Sequence, residues 1–141
     1  MLFHILWKSY PTEIRPCKDP HNYLNQCAIR MSITLQSSGF QLMGYNQPQC
    51  SHGHARGAEE LANYLTWRLK WRMGANVIKI KNLNSSEARK AVYMKTGIIF
   101  FKDIANFREG TGDHIDLWNL TQTKTGEYFD LCKEVWFWPI A

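Results

Sequence analysis

Cys27 and His114 are the two side chains in this sequence that could together perform nucleophilic catalysis. Cys27 lies in the stretch YLNQCAIRMS, at the start of a predicted amphipathic helix. A cysteine attacks as its thiolate, and the free thiol titrates near about 8.5. The N–H groups and the dipole of a helix N-terminus stabilise that anion and point to where an oxyanion would develop. Free cysteine is among the most frequently buried residue types. The position alone therefore leaves open whether Cys27 is a core residue or a nucleophile.

His114 is the best placed of the five histidines to act on such a thiol. It begins the alternating segment HIDLWN, just after the glycine-rich loop REGTGD. A histidine on a strand that packs across a helix N-terminus is the arrangement of papain-like cysteine peptidases. The spacing alone does not distinguish a catalytic cysteine–histidine pair from two residues with separate structural roles.

Two helices are predicted ahead of a group of strands. The first spans roughly residues 23–37, with Asn22 or Asn25 as its cap and Gly39 as its stop signal. The second spans roughly 57–73, with an apolar stripe extended by two tryptophans: Ala58, Leu61, Leu65, Leu69, Trp67 and Trp71.

The rest of the chain predicts strands with one helix among them. NVIKIKN and HIDLWN alternate, GIIFFKDI has the apolar run of a buried central strand, and EVWFW is the last strand. SSEARKAVYMKTG is the short helix between them. Segregated helices and strands predict an α+β fold with an antiparallel sheet, and the length of 141 residues predicts one domain, residues 1–141.

The composition favours a folded, basic protein. Apolar residues make up 45% of the chain and charged residues 21%, and the net charge is +5. A basic surface favours anionic partners, but the 17 basic residues form no run. We expect no signal peptide, because MLFHILWKSYP lacks a basic region and a cleavage site. We expect no membrane span, because no stretch reaches the roughly 20 apolar residues that a span needs.

Four blocks of sequence resemble one family. NQCAIRMS, HARGAEELANYL, GIIFF and GDHIDLWN, in that order, are similar to the type VI secretion amidase effectors of the fourth family, within the NlpC-type, papain-like cysteine peptidases. The resemblance covers roughly residues 9–119. It implies a papain-like fold in which N-terminal helices pack on an antiparallel sheet.

The resemblance also implies a function. The protein would be an antibacterial toxin delivered by the type VI secretion machinery from the cytoplasm to the periplasm of a target cell. It would cleave the amide between D-glutamate and meso-diaminopimelate in the peptide stems of peptidoglycan. It would have a cognate immunity protein and no metal or other cofactor, and we expect neither nucleic acid nor membrane as a partner.

Carried over by position, the resemblance makes Cys27 the nucleophile and His114 the general base and acid. The family's third catalytic residue is an aspartate about a dozen residues beyond the histidine, where this sequence has Thr125. Asp116 is the replacement that we favour, although side chains two apart on a strand lie about 6.5 Å from each other. Thr125 itself remains a candidate, as do Glu127 and Asp130.

Three further sets of residues could contact substrate, bind a metal or form a disulfide. Trp118 shares the His114 face, so we expect it to border the substrate cleft, and we expect His54 to shape the loop at that cleft. The spacing of Cys50, His52 and His54 could hold zinc or copper, but no fourth ligand is evident and we predict no metal. One disulfide could form in the periplasm, among Cys17, Cys50 and Cys132.

The alternative function is a basic, non-enzymatic protein that binds the cell wall or nucleic acid. The missing family aspartate is its main support. The sequence has no aromatic–basic RNA motif and no pattern of a recognition helix, which weighs against nucleic acid.

Overall fold

The computed structural model describes residues 2–13, 15–19, 26–81, 85–105 and 112–141. Three helices come first along this part of the chain: α1 (Phe3–Ser9), α2 (Cys27–Ser37) and α3 (Ala58–Met73). The remaining elements are β1 (Ile78–Lys81), α4 (Ser85–Val92), β2 (Lys95–Ile104), β3 (Gly112–Leu120), β4 (Gln122–Thr123) and β5 (Glu134–Pro139). The predicted α+β fold is confirmed.

The helices form where the apolar residues repeat at helical spacing. The buried face of α2 includes Met31 and Leu35, as predicted. α3 carries Glu59 and Glu60 in its first turn and basic residues in its last, which complements the helix dipole, and it ends at Gly74 with φ +67°.

Three details differ from the sequence predictions. Trp67 and Trp71 are exposed, the latter by 80%, so they do not extend the apolar stripe of α3. α1 was not predicted, because its seven residues are too few to show a helical period. The predicted start of α2 and its caps, Asn22 and Asn25, lie outside the described residues, and the described helix begins at Cys27.

The five strands form one antiparallel sheet in the order β1-β5-β2-β3-β4. GIIFFKDI lies within β2, which pairs with β3 on one side and β5 on the other, so the prediction of a buried central strand is confirmed. Opposite faces of the sheet pack into two separate cores. Ile98 and Phe100 face the core built with α1, α2 and α3, whereas Ile99 and Phe101 face the core built with α4.

The first helix and the last residue of the described chain are in contact. The N–H of Phe3 donates to the carbonyl of Ala141 at 2.9 Å, and α1 packs on α2. Within the described residues no helix combines the length and the apolarity that a membrane span requires.

Gly97 gives a test of how tightly β2 and β5 approach each other. A Cβ atom at this position would overlap the carbonyl oxygen of Trp138, a backbone atom that cannot move aside alone. We expect Gly97→Ala to lower the free energy of unfolding by about 3 kcal/mol, at the upper end of the usual cost of overpacking. Lys95→Ala, at an exposed position of the same strand, should change it by less than about 0.5 kcal/mol. Equal denaturation midpoints for the two variants would contradict this packing.

Candidate active site

Cys27 is the first residue of α2, and only 4% of it is exposed. The helix begins with a bond from the N–H of Arg30 to the carbonyl of Gln26, at 2.9 Å. The first N–H groups of a helix have no acceptor within it. The described first turn of α2 contains no acidic side chain. A thiolate at Cys27 is therefore the negative charge that this helix terminus is placed to stabilise.

His114 lies on β3 and is hydrogen-bonded to Cys27. Its ring stacks on Phe101, with centroids 6.2 Å apart, and meets the edge of Tyr128 at 5.1 Å. The two aromatic rings fix the plane of the imidazole. Since Nε2 faces a carboxylate, Nδ1 is the ring nitrogen left to exchange a proton with Cys27.

That carboxylate belongs to Asp116, which is fully buried. The Nε2 atom of His114 lies 2.8 Å from Asp116 Oδ2, so the strand permits a direct bond between side chains two positions apart. Oδ2 also accepts from Thr125 Oγ1 at 2.7 Å, from the N–H of Thr125 at 3.0 Å and from the N–H of Gly126 at 3.2 Å. The N–H of Leu117 donates to Oδ1 at 2.7 Å. Five donors thus surround this buried carboxylate, and both of its oxygens have hydrogen-bond partners.

Thr125, at the position of the expected family aspartate, lies beside the same ring. Its Oγ1 is 3.3 Å from His114 Nε2, farther than the carboxylate oxygen of Asp116. The other two candidates point elsewhere: Glu127 pairs with Arg89 at 2.7 Å, and Asp130 is exposed. The structure thus brings Cys27, His114, Asp116 and Thr125 together.

The charges in this group favour a protonated imidazole. Burial is the largest influence on His114 and lowers its pKa, but the hydrogen bonds and negative charges of Asp116 and Cys27 outweigh it and raise the pKa to about 9. At neutral pH an imidazolium therefore lies beside the sulfur of Cys27, and a thiolate paired with an imidazolium is the form in which cysteine peptidases attack.

Two tyrosines beside the site gave no signal in the sequence. Burial raises the pKa of Tyr10, and the charges of Asp116 and Cys27 add to the shift. Burial and the same two charges raise the pKa of Tyr128. Both phenols stay neutral near the reacting groups. Chain folding alone brings them there, because Tyr10 follows α1 and Tyr128 follows β4.

Two predicted substrate contacts lie elsewhere. Trp118 is fully buried in the core under α4, with its indole N–H on the carbonyl of Val92 at 2.8 Å. An indole in that position cannot border an open cleft, which corrects the expectation. His54 directs Nδ1 to the sulfur of Cys50 at 3.1 Å. A role for His54 at the cleft stays a prediction.

A buried thiol, imidazole and carboxylate joined at a helix N-terminus, over an antiparallel sheet, define a papain-like cysteine hydrolase. The chain belongs to the family described as Type VI secretion system (T6SS), amidase effector protein 4 (Tae4), which matches residues 23–138. It is an amidase effector that acts on peptidoglycan, and the alternative of a non-enzymatic binding protein is not supported.

Solved structures share this fold. The type VI effector–immunity complex Tae4–Tai4 from Enterobacter cloacae is similar at 18% identity, over 99% of this chain and 98% of that chain, with a TM-score of 0.68. The Tae4/Tai4 system from Salmonella typhimurium gives 18% identity over the same shares, with a TM-score of 0.67. The effector Tae4 from Enterobacter cloacae gives 19% identity over 99% and 96%, with a TM-score of 0.65. No curated protein matches the sequence.

Asp116→Asn tests the source of the high pKa of His114. Without the carboxylate charge, burial should dominate and the pKa should fall from about 9 toward or below 6.5. Because the folded-state pKa is raised, the stabilisation from protonating His114 is complete below pH 6.5 and is lost as the pH rises through about 9. The variant should lose that pH dependence.

NMR titration of His114 and unfolding curves across this pH window measure both effects. Asp130→Asn, at an exposed carboxylate, is the matched control and should leave the titration unchanged. An unaltered His114 pKa in Asp116→Asn would show that Asp116 does not support the imidazolium.

Proposed function

We propose that this amidase cleaves the γ-D-glutamyl–meso-diaminopimelate amide of peptidoglycan stem peptides, with Cys27 as nucleophile, His114 as general acid and base, and Asp116 as the orienting carboxylate. The observation that carries the proposal is the continuous hydrogen-bonded series from Cys27 through His114 to Asp116 at the start of α2. The identity of the amide bond that is cleaved is inferred from the resemblance to the fourth family of type VI amidase effectors.

In the first step, the Cys27 thiolate adds to the carbonyl carbon of the amide. The carbonyl oxygen becomes an oxyanion, which the N–H groups of the first turn of α2 can bind. His114 gives its proton to the nitrogen of the leaving amine, the C–N bond breaks, and a thioester remains on Cys27. The raised pKa of His114 supports this role, because the proton is in place before the substrate binds.

In the second step, water replaces the amine. The neutral imidazole takes a proton from water, hydroxide adds to the thioester carbon, and the C–S bond breaks. The products are the glutamyl carboxylic acid, which loses its proton to solvent to become a carboxylate, and the original thiolate–imidazolium pair. Asp116 stabilises the imidazolium each time it forms, and it holds the ring in one tautomer.

The setting of the reaction is also part of the proposal. Residues 1–141 act as one amidase domain that the type VI machinery delivers to the periplasm of a target cell. The solved relatives include complexes named as effector–immunity pairs with Tai4. By analogy, a cognate immunity protein would bind this chain. The net charge of +5 favours contact with the anionic cell wall.

Cys27→Ala tests the nucleophile. The variant should fold with an unchanged circular dichroism spectrum, because alanine fills most of the space of cysteine at a good helix position. Digestion of purified peptidoglycan, followed by mass spectrometry of the released stems, should show cleavage by the wild type and none by the variant. Cys132→Ser, which changes a cysteine in the other core, should retain turnover. Equal product formation by Cys27→Ala and the wild type would refute the mechanism.

An exchange of residues 116 and 125 tests the position of the acid. Asp116→Thr should lower turnover by up to about ten-thousandfold, the loss caused when the orienting acid of a catalytic triad is neutralised. Asp116→Thr combined with Thr125→Asp returns the carboxylate to the position that the family resemblance implies. Because Thr125 Oγ1 already lies 3.3 Å from His114 Nε2, the double variant should recover most of the lost turnover. A double variant no more active than Asp116→Thr would show that the two positions are not interchangeable.

A further inference from the structure

A second group of thiols and imidazoles, which the amidase mechanism does not use, joins two separate segments of the chain. Cys17 Sγ and Cys50 Sγ are 3.2 Å apart. Each sulfur faces an imidazole: His52 Nδ1 lies 3.1 Å from Cys17 Sγ, and His54 Nδ1 lies 3.1 Å from Cys50 Sγ. The ligand atoms of Cys17, Cys50 and His54 all lie within 4.8 Å of one another.

The backbone brings these residues together. Gln49 and Ala55 form an isolated antiparallel bridge, which closes the loop that carries Cys50, and the N–H of Cys50 donates to the carbonyl of His54 at 2.9 Å. Gly53 turns the loop with φ +81°, a left-handed conformation that suits glycine. Two histidines and a cysteine thus converge on one side of a five-residue turn.

Cys17 comes from the segment that precedes the catalytic helix, 33 residues away from Cys50. Asp19 fixes this segment to the turn, because its buried carboxylate accepts from the N–H of Ser51 at 2.5 Å. The sequence pattern Cys50-Ser-His52-Gly-His54 lacked a further ligand, and the fold supplies one.

Cys17, Cys50 and His54 supply three ligand atoms close enough together for a tetrahedral metal site, and His52, whose Nδ1 contacts Cys17 Sγ, is the side chain that can move in to complete it. Zn–S distances near about 2.3 Å and Zn–N distances near about 2.0–2.1 Å put tetrahedral ligand atoms roughly 3.5–3.8 Å apart. The S···S and S···N distances of 3.1–3.2 Å need to open by only a few tenths of an ångström. Both sulfurs already accept backbone N–H bonds, from Asp19 to Cys17 and from His54 to Cys50, as thiolate ligands do.

A disulfide between Cys17 and Cys50 fits the same atoms less well. The sulfurs would have to approach to about 2.05 Å, a larger movement in the opposite direction. A disulfide would also leave two imidazole nitrogens directed at sulfur atoms that cannot donate and that accept only weakly.

We propose that Cys17, Cys50 and His54, with His52 as the fourth ligand, form a structural Zn²⁺ site. One Zn²⁺ binds two thiols and two neutral imidazoles and releases two protons to solvent. The two thiolates then balance the charge of the ion, so the largely buried site is neutral. Soft thiolate and imidazole ligands in this number select zinc over magnesium or calcium.

The site supports the helix that carries the catalytic nucleophile. Cys17 and Cys50 pack with Ile29 of α2, and the partly buried Ile33 packs against the same cluster. Ile29 lies two residues after Cys27, on another face of the helix. Bound zinc would therefore fix both the segment before α2 and the loop before α3 to the back of the catalytic helix.

Metal binding can be measured on the full chain without substrate, so its result is independent of the proposed amide bond. Cys27→Ala provides a background in which the catalytic thiol cannot bind metal. Reduced protein in this background should take up one Co²⁺ per chain, with a thiolate-to-cobalt charge-transfer band and the visible bands of tetrahedral cobalt. Zn²⁺ should displace the cobalt and abolish the bands, with release of two protons in a weakly buffered solution.

Variants of the ligands distinguish the site from adventitious binding. Adding Cys17→Ser or His54→Ala should weaken Co²⁺ binding by more than about 100-fold, beyond the loss from outer partners of a metal site. Cys132→Ser is the matched control and should bind as the background does. Absence of the charge-transfer band would overturn the proposal, and so would a band that persists in Cys17→Ser. Metal-free protein isolated from the periplasm with a Cys17–Cys50 disulfide would overturn it as well.

Discussion

One carboxylate oxygen, Oδ2 of Asp116, joins the parts of the active site. It accepts from the imidazole of His114 and from three donors in residues 125 and 126, which follow β4. Burial makes an unpaired charge there very costly, so the loop after β4 has to fold back over β3 to satisfy it. The hydrogen bond to His114 also helps to raise the pKa of that imidazole to about 9. The path of the loop after β4 and the protonation of His114 therefore both depend on this one buried carboxylate.

The position of that anion distinguishes this chain from the pattern that its resemblance implies. The expected aspartate is replaced by Thr125, and the charge comes from the strand instead of the loop. Thr125 still contacts the ring and donates to the carboxylate, so Asp116 and Thr125 both lie beside Nε2 of His114. A catalytic acid can move along the sequence in this way because the imidazole responds to the location of the charge and not to the chain segment that supplies it.

Local patterns in the sequence were enough to predict the longer elements and to select Cys27 and His114, which the structure brings into contact. The stripe of α2, the apolar run of β2 and the alternation of β3 are periodic, and Cys27 and His114 lie in distinctive blocks. Asp116 was one of four candidates, and only the side-chain bonds separate it from the others. Trp118 and Trp71 were assigned to the wrong environment, because the alternation of a strand or the stripe of a helix indicates a face of the element but not what covers that face. The contact of Cys17 with Cys50 depends on packing across 33 residues, which no local pattern contains.

The depth of the reacting groups has a consequence for which polypeptides can be attacked. Cys27 is 4% exposed and His114 is 8% exposed, so a scissile amide has to reach both through the small part of each side chain that solvent reaches. A thin, extended and loosely tethered strand of peptide can do this, whereas an amide within a helix or a paired strand is held away by its neighbours. Accessibility would thus spare the folded proteins that the thiolate meets, including those of the cell that makes it, without any recognition of their sequences.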